Sequence, residues 1–189
     1  RGYLNAVVDT LLSLQENKIN VTYDVDGNDP YRILTYKDDI KDTTVLKILK
    51  ETKKLDFIEI DDVFDLKVLE EGRTEMARQL RNRGYYDFSK DNFQFLADTT
   101  VGTHQVDLTV NLLNPTDSTT HLQYYMGNST VLNGIDVATL ENNKSGYKLD
   151  TIQFRDITII QNKNEFLRPR AIYYNTFLRK NRMYADRLV

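Results

Sequence analysis

The sequence predicts an α+β chain built from tandem strand-helix-helix-strand-strand (β-α-α-β-β) units. Three observations carry this. Arg-Gly-Tyr occurs twice, at Arg1 to Tyr3 and at Arg83 to Tyr85. Each copy is followed by two segments of alternating polarity. A strongly amphipathic segment leads into the second copy. Gly2 and Gly84 are 82 residues apart, which sets the repeat period at about 80.

After the first Gly-Tyr, "KINVTYDV" places Ile19, Val21, Tyr23 and Val25 on one face and Asn20, Thr22 and Asp24 on the other. Period two marks a half-buried strand. "AVVDTLLSL" before it is strand-like too, and "QENK" (Gln15 to Lys18) is the polar turn that joins the two as a hairpin. "DGNDP" (Asp26 to Pro30) ends the pair with a turn cluster, and "PYRILTY" begins another short strand.

Two helical segments follow, "DTTVLKILKETKK" and "DDVFDLKVLEEGRTEMARQLRNRG". In the second, Leu66, Leu69, Arg73, Met76 and Leu80 recur at steps of three and four and define one face. Asp65 is placed to cap its start. Arg78, Arg81 and Arg83 sit near its end, where the macrodipole favours cations. Gly84 stands where a helix closes with a left-handed residue. Gly72 breaks the pattern and should cost about 1 kcal/mol relative to Ala.

Beyond Gly84 the alternation returns. "DNFQFLADTT" puts Phe93, Phe95 and Ala97 on one face. "HQVDLTVNLLNP" puts Val106, Leu108, Val110 and Leu112 on one face and Asp107, Thr109 and Asn111 on the other, with Val101 to Thr103 as the turn between the strands. Gly-Tyr thus marks a helix end that feeds a hairpin. The expected organisation is a hairpin from a truncated unit (1–29), a complete unit (30–117), and the N-terminal part of a further unit (118–189). The last begins near "THLQYY", carries an extra segment from Gly127 to Gln161, and ends in a helical piece whose first turn holds Pro169. A chain that opens on "RGYLNAVV" is expected to be cut from a longer one.

Composition narrows the function. With 40% hydrophobic and 28% charged residues the chain is of ordinary globular make-up. Its net charge of −3, with both signs interspersed, argues against a nucleic-acid arm or a polybasic membrane patch. No apolar run reaches the roughly 20 residues needed to span a bilayer, and no signal peptide is visible. The absence of Cys removes disulfides, thiol nucleophiles and Cys metal sites.

The order of elements, with Gly-Tyr at the end of the second helix, resembles the POTRA (polypeptide-transport-associated) domain. The residues that carry the resemblance are "LRNRGYYDFSKDNFQF" (Leu80 to Phe95), "HQVDLTVNL" (His104 to Leu112) and "NKINVTYDVDGNDPYRI" (Asn17 to Ile33). "LRPRAIYYNTFLRKNRMY" looks like the first helix of a further copy. Tandem POTRA domains form the periplasmic arm of the BamA/TamA family of outer-membrane β-barrel assembly proteins. The resemblance implies a three-stranded mixed sheet with two helices on one face. It implies a non-enzymatic arm without cofactor or metal that binds unfolded outer-membrane protein precursors and periplasmic lipoprotein partners. Any membrane attachment would come through a C-terminal β-barrel outside this sequence. The alternatives are a POTRA protein of two-partner secretion or cell division, and a repeat module of a surface adhesin.

No catalytic or metal constellation competes with that reading. "DVDGND" (Asp24 to Asp29) lacks the Glu and the Gly spacing of an EF-hand and reads as a turn. His104 and His121, the only histidines, have no third ligand at zinc spacing. Asp61 and Asp62 read as a charged loop or cap. Tyr124, Tyr125, Tyr173 and Tyr174 form two aromatic pairs that could mark an interface. The family places the first strand of each hairpin at the sheet edge, here Asp91 to Thr100 and Leu4 to Leu14. The candidate docking residues are therefore Asp91, Asn92, Phe93, Gln94, Phe95, Leu96 and Ala97. This stretch has no Lys and no Pro, the usual guards against strand addition. Gly2, Tyr3, Gly84 and Tyr85 are the candidate structural junctions.

Overall fold

The computed structural model describes residues 2–116, 119–135, 149–162 and 167–189. They divide into two compact units, one of residues 1–79 and 89–120, the other of residues 80–88 and 121–189.

The first unit opens with an antiparallel hairpin, β1 (Val7–Gln15) and β2 (Lys18–Asp26). Gln15 pairs with Lys18, so the turn is Glu16 and Asn17 alone, with Glu16 at φ +51°. The pairing brings Val8, Leu12 and Leu14 onto the same face as Ile19, Val21, Tyr23 and Val25. Every residue of both strands is exposed, so this apolar face is uncovered among the described residues. "DGNDP" is a turn, closed by the Asn28 N–H donating to Asp26 Oδ1 at 3.1 Å.

A β-α-α-β-β run of elements follows: β3 (Arg32–Asp39), α1 (Thr43–Glu51), α2 (Leu66–Arg81), β4 (Phe93–Asp98) and β5 (Gln105–Leu112). The strand order is β3-β5-β4, with β3 parallel and β4 antiparallel to the central β5. Both helices lie on one face. The alternation read in the sequence is the cause: Val106, Leu108 and Val110 are fully buried, and Val106 and Leu108 meet Leu69 of α2, Ile33 of β3, Ile58 and Phe64 in the core. Asp42 caps α1 by accepting from the N–H groups of Thr44 (2.9 Å) and Val45 (3.1 Å). Asp65 caps α2 through the Lys67 N–H at 2.9 Å.

Gly72 is a departure of another kind than the sequence suggests. A Cβ there would stand 2.2 Å from Cζ of Phe57. That ring makes edge contacts with Tyr36 at 6.3 Å and Phe95 at 6.1 Å between centroids. The missing side chain is the space the ring occupies, so the expected gain from Gly72→Ala does not hold in this packing.

In the second unit Gly84 has φ +97°, and Gly2 of the first unit has φ +71°. Tyr85 is buried, whereas Tyr3 is half exposed. The segment expected as an extra insertion builds a sheet: β6 (Ser129–Asn133), β7 (Leu149–Phe154) and β8 (Ile157–Asn162), in the order β6-β8-β7. Here too the first strand is parallel and the hairpin partner antiparallel to the central strand. "THLQYY" is not a strand of this sheet; it contributes a single bridge, Tyr125 to Met183. The expected C-terminal helix is short, α3 (Pro169–Asn175), with Pro169 in its first turn.

Candidate functional site

The strand expected at Asp91 to Thr100 is an edge strand of its sheet, and it is shorter than expected. Asp91 and Asn92 belong to a 3-10 turn, Lys90–Asn92, that precedes β4. Ser89 builds it by accepting from the Asp91 N–H and by donating its own N–H to Asn92 Oδ1 at 2.8 Å. At the other end Thr99 and Thr100 leave the strand, because Asp98 Oδ1 accepts from both the N–H (2.9 Å) and the hydroxyl (2.7 Å) of Thr100. Those bonds hold the Asp98 carboxyl below its ordinary pKa. The strand proper is Phe93, Gln94, Phe95, Leu96, Ala97 and Asp98.

β4 is an edge strand, and its hydrogen bonds define what the edge offers. The Leu113 N–H donates to the Asn92 carbonyl at 2.8 Å, and the register sets these residues opposite each other. Exchanged bonds alternate along an antiparallel pair. Gln94, Leu96 and Asp98 therefore bond to β5, while Phe95 and Ala97 aim their N–H and C=O groups away from it. The Phe93 N–H, which also points outward, donates to the Lys90 carbonyl. The outward backbone groups belong to the same residues whose side chains face the helices.

The opposite edge of this sheet is partly closed. The Ile33 N–H donates to the Asp62 carbonyl at 2.9 Å, and the Asp61 N–H donates to the Ile33 carbonyl at 2.8 Å. The loop of Asp61 and Asp62 is thus a strand cover, and Asp62 further accepts from the Glu59 N–H at 2.9 Å.

Beside the free edge runs an open groove of about 620 Å³ between β4 and the start of α2. Phe64, Leu66, Leu69, Phe95, Ala97 and Leu113 line its apolar part. Inward-facing residues of β4 become progressively less covered, from buried Phe93 through half-buried Phe95 to exposed Ala97. Leu66 is 67% exposed although it lies on the apolar face of α2. The groove is therefore an apolar face left open at the end near Ala97 and Leu66.

Its other end is ionic. Arg73 reaches Glu70 Oε2 at 3.0 Å, Asp91 Oδ1 at 3.1 Å and the Lys90 carbonyl at 3.1 Å. Lys90 also pairs with Glu70. Lys90, then Arg73, hold the Glu70 carboxyl below its ordinary pKa. The cluster ties α2 to the turn ahead of β4 and so fixes the groove's width there.

Sequence reasoning finds the edge and misses its floor. Leu66, Leu69 and Arg73 are visible as one helical face, but not that the face begins uncovered. Gly84 and Gly2 take the left-handed conformation expected of junctions. The histidines are packing residues: the His104 ring lies 5.2 Å from that of Tyr31, and His121 lies 4.5 Å from Phe88. No group of His, Cys, Asp and Glu suited to a metal occurs among the described residues. Tyr124 donates its hydroxyl to Asp87, and Tyr173 and Tyr174 are stacked with arginines.

No protein-family model and no curated protein sequence matches the chain. Among solved structures it is similar to POTRA domains 3–5 of BamA from Haemophilus influenzae, at 14% identity and a TM-score of 0.45, over 86% of this chain and 74% of that one. It is also similar to CdiB from Escherichia coli, at 8% identity and a TM-score of 0.24, over 76% of this chain and 29% of that one. The β-α-α-β-β order, the mixed sheet and the single helical face together make this fold POTRA-like.

Proposed function

We propose that the chain is part of a periplasmic POTRA arm of an outer-membrane assembly protein and that β4 receives an extended strand from another polypeptide. The observation that carries this is the coincidence of outward backbone groups at Phe95 and Ala97 with an apolar groove under the same two residues. An added strand would pair with those groups and set every second side chain into the groove. Main-chain pairing accepts many sequences, which suits unfolded β-barrel precursors and lipoprotein partners as ligands. The division into a hairpin (1–29), a complete unit (30–117) and a further unit (118–189) belongs to the same proposal.

The test is a proline at an outward position. Ala97→Pro removes an N–H that bonds to nothing in β5, and edge positions of this kind tolerate Pro. A fluorescein-labelled strand peptide of alternating aromatic and polar residues is titrated into each protein and followed by anisotropy. The expected result is binding to the parent chain, and loss of binding in Ala97→Pro with the melting temperature kept. Equal binding by a folded Ala97→Pro variant would show that the strand is not received at this edge.

A further inference from the structure

The chain's charge is unevenly placed. Residues 167–189 hold six Lys and Arg and one Asp, a net charge of +5 in a chain whose total is −3. The one acid, Asp186, is paired with Arg81 at 3.1 Å. The whole-chain value therefore hides a basic segment.

This segment is also aromatic, and the two properties meet around α3. Arg155, in the β7–β8 turn, lies 4.8 Å from the ring centroid of Tyr173 and 5.8 Å from that of Tyr174. Arg170 lies 5.6 Å from Tyr174, and Arg179 lies 4.1 Å from Tyr173. Two guanidiniums thus share each ring. A guanidinium carries five N–H donors, so one held at a ring can still offer donors to an anion. Arg179 directs its donors to the carbonyls of Tyr173 and Leu178, and Arg155 hydrogen-bonds the Tyr173 and Tyr174 side chains, but Arg155 and Arg170 are both exposed. So are Arg168, Lys180 and Arg182. Among the described residues Asp156 stands beside them and accepts from the Lys180 N–H at 3.2 Å. The same segment of chain carries Leu167, Tyr174 and Phe177, which are 56%, 55% and 64% exposed.

We propose that this surface docks on an anionic lipid membrane. Exposed Arg and Lys match anionic headgroups, while Tyr and Phe beside them suit the boundary between headgroup and acyl chain. An acidic polypeptide would use the cations and leave Leu167 and Phe177 in water. Charge complementarity and the interleaved apolar side chains together favour the lipid surface. The inference is independent of the β4 edge.

The test is co-sedimentation of the whole chain with vesicles of phosphatidylcholine, alone or mixed with phosphatidylglycerol. Binding is expected only with the mixed vesicles. Arg155→Gln with Arg170→Gln should weaken it by about fivefold per charge. Phe177→Ser should weaken it further without altering charge. A Lys47→Gln, Lys67→Gln pair on the first unit, with the same charge loss, should leave binding close to the parent level. Failure to bind the mixed vesicles overturns the proposal. So does an equal loss in the Lys47, Lys67 control. Binding of soluble polyglutamate that is as tight as vesicle binding and indifferent to Phe177→Ser would assign the surface to acidic polypeptides instead.

Discussion

The carbonyl oxygen of Gly84 accepts a hydrogen bond from the Tyr124 N–H at 2.7 Å. The Gly2 carbonyl does the same with the Tyr31 N–H at 2.8 Å. Each glycine carbonyl also takes the N–H two residues on, Tyr86 at 2.9 Å and Leu4 at 3.0 Å. Tyr31 lies immediately before β3, and Tyr124 lies before β6. The repeated Gly-Tyr is therefore more than a helix stop. The left-handed residue turns its carbonyl toward the chain that is about to enter the next sheet.

Gly84→Val is expected to lower stability by roughly 1–2 kcal/mol from backbone conformation alone. A Cβ would also stand 3.0 Å from Met183 Cγ. Met183→Ala added to the Gly84→Val variant should recover the contact part of the loss and not the conformational part. Urea denaturation of the parent, the two single variants and the double variant separates the two.

Gly72→Ala gains about 1 kcal/mol of helix propensity in an open helix. Here the added methyl meets the Phe57 ring, and overpacking of that kind costs about 1–3 kcal/mol. The expected outcome is a lower melting temperature. With Phe57→Ala already present, the same Gly72→Ala change should become neutral or stabilising, and the double-mutant cycle reads the coupling directly.

The hydrogen-bond alternation along β4 makes a residue-by-residue prediction. Amide exchange should be slow at Gln94 and Leu96 and fast at Phe95 and Ala97. Leu96→Pro, which removes a bond to β5, should destabilise the first unit far more than Ala97→Pro. Slow exchange at Ala97 in the isolated chain would mean that something already covers the edge.

Glu75 supplies a pH dependence. Its hydrogen bonds with Arg78, then Lys54 and Gln79, hold its carboxyl down to about 2, from an ordinary value of 4.5. Between those values an unfolded chain takes up a proton that the folded chain refuses, so acid favours unfolding. The stabilisation is full above pH 4.5 and fades as pH falls toward 2. The side chain is 34% exposed, so solvent screening limits the effect to about 1 kcal/mol. Glu75→Gln should show that deficit in urea denaturation at neutral pH and none near pH 2.

The legible part of this fold is the part written in alternation. β1, β2, β4 and β5 each carry a period of two, and α2 carries steps of three and four, so both hairpins and the long helix can be read directly. The strand boundaries are less legible because side-chain caps set them: Ser89 holds Asp91 and Asn92 in a turn, and Asp98 draws Thr100 out of line. Gly72 misleads because propensity describes an isolated helix, whereas the ring that needs the space lies 15 residues away. The third sheet has a signal that the reading as an insertion passes over. Gly146-Tyr147 precedes β7 as Gly84-Tyr85 precedes β4. These two residues lie outside the described part, but the alternation in "LDTIQF" and "ITIIQN" after them is visible. The groove depends on what fails to cover Leu66, and no local pattern reports a neighbour's absence.

The edge at Phe95 and Ala97 has a consequence for how much information a ligand must carry. Under the proposal, a strand laid against it would be read twice, once through its peptide groups, which all sequences share, and once through the side chains that would drop beside Leu66 and Leu69. Residues between those positions would face the side of the sheet away from the groove, with exposed Gln94 and Leu96. They would drift freely without loss of recognition. Selection by such a surface is a test of hydrophobic rhythm over a few residues, and a single charged substitution in phase with the groove should defeat it where the same substitution one residue over passes unnoticed.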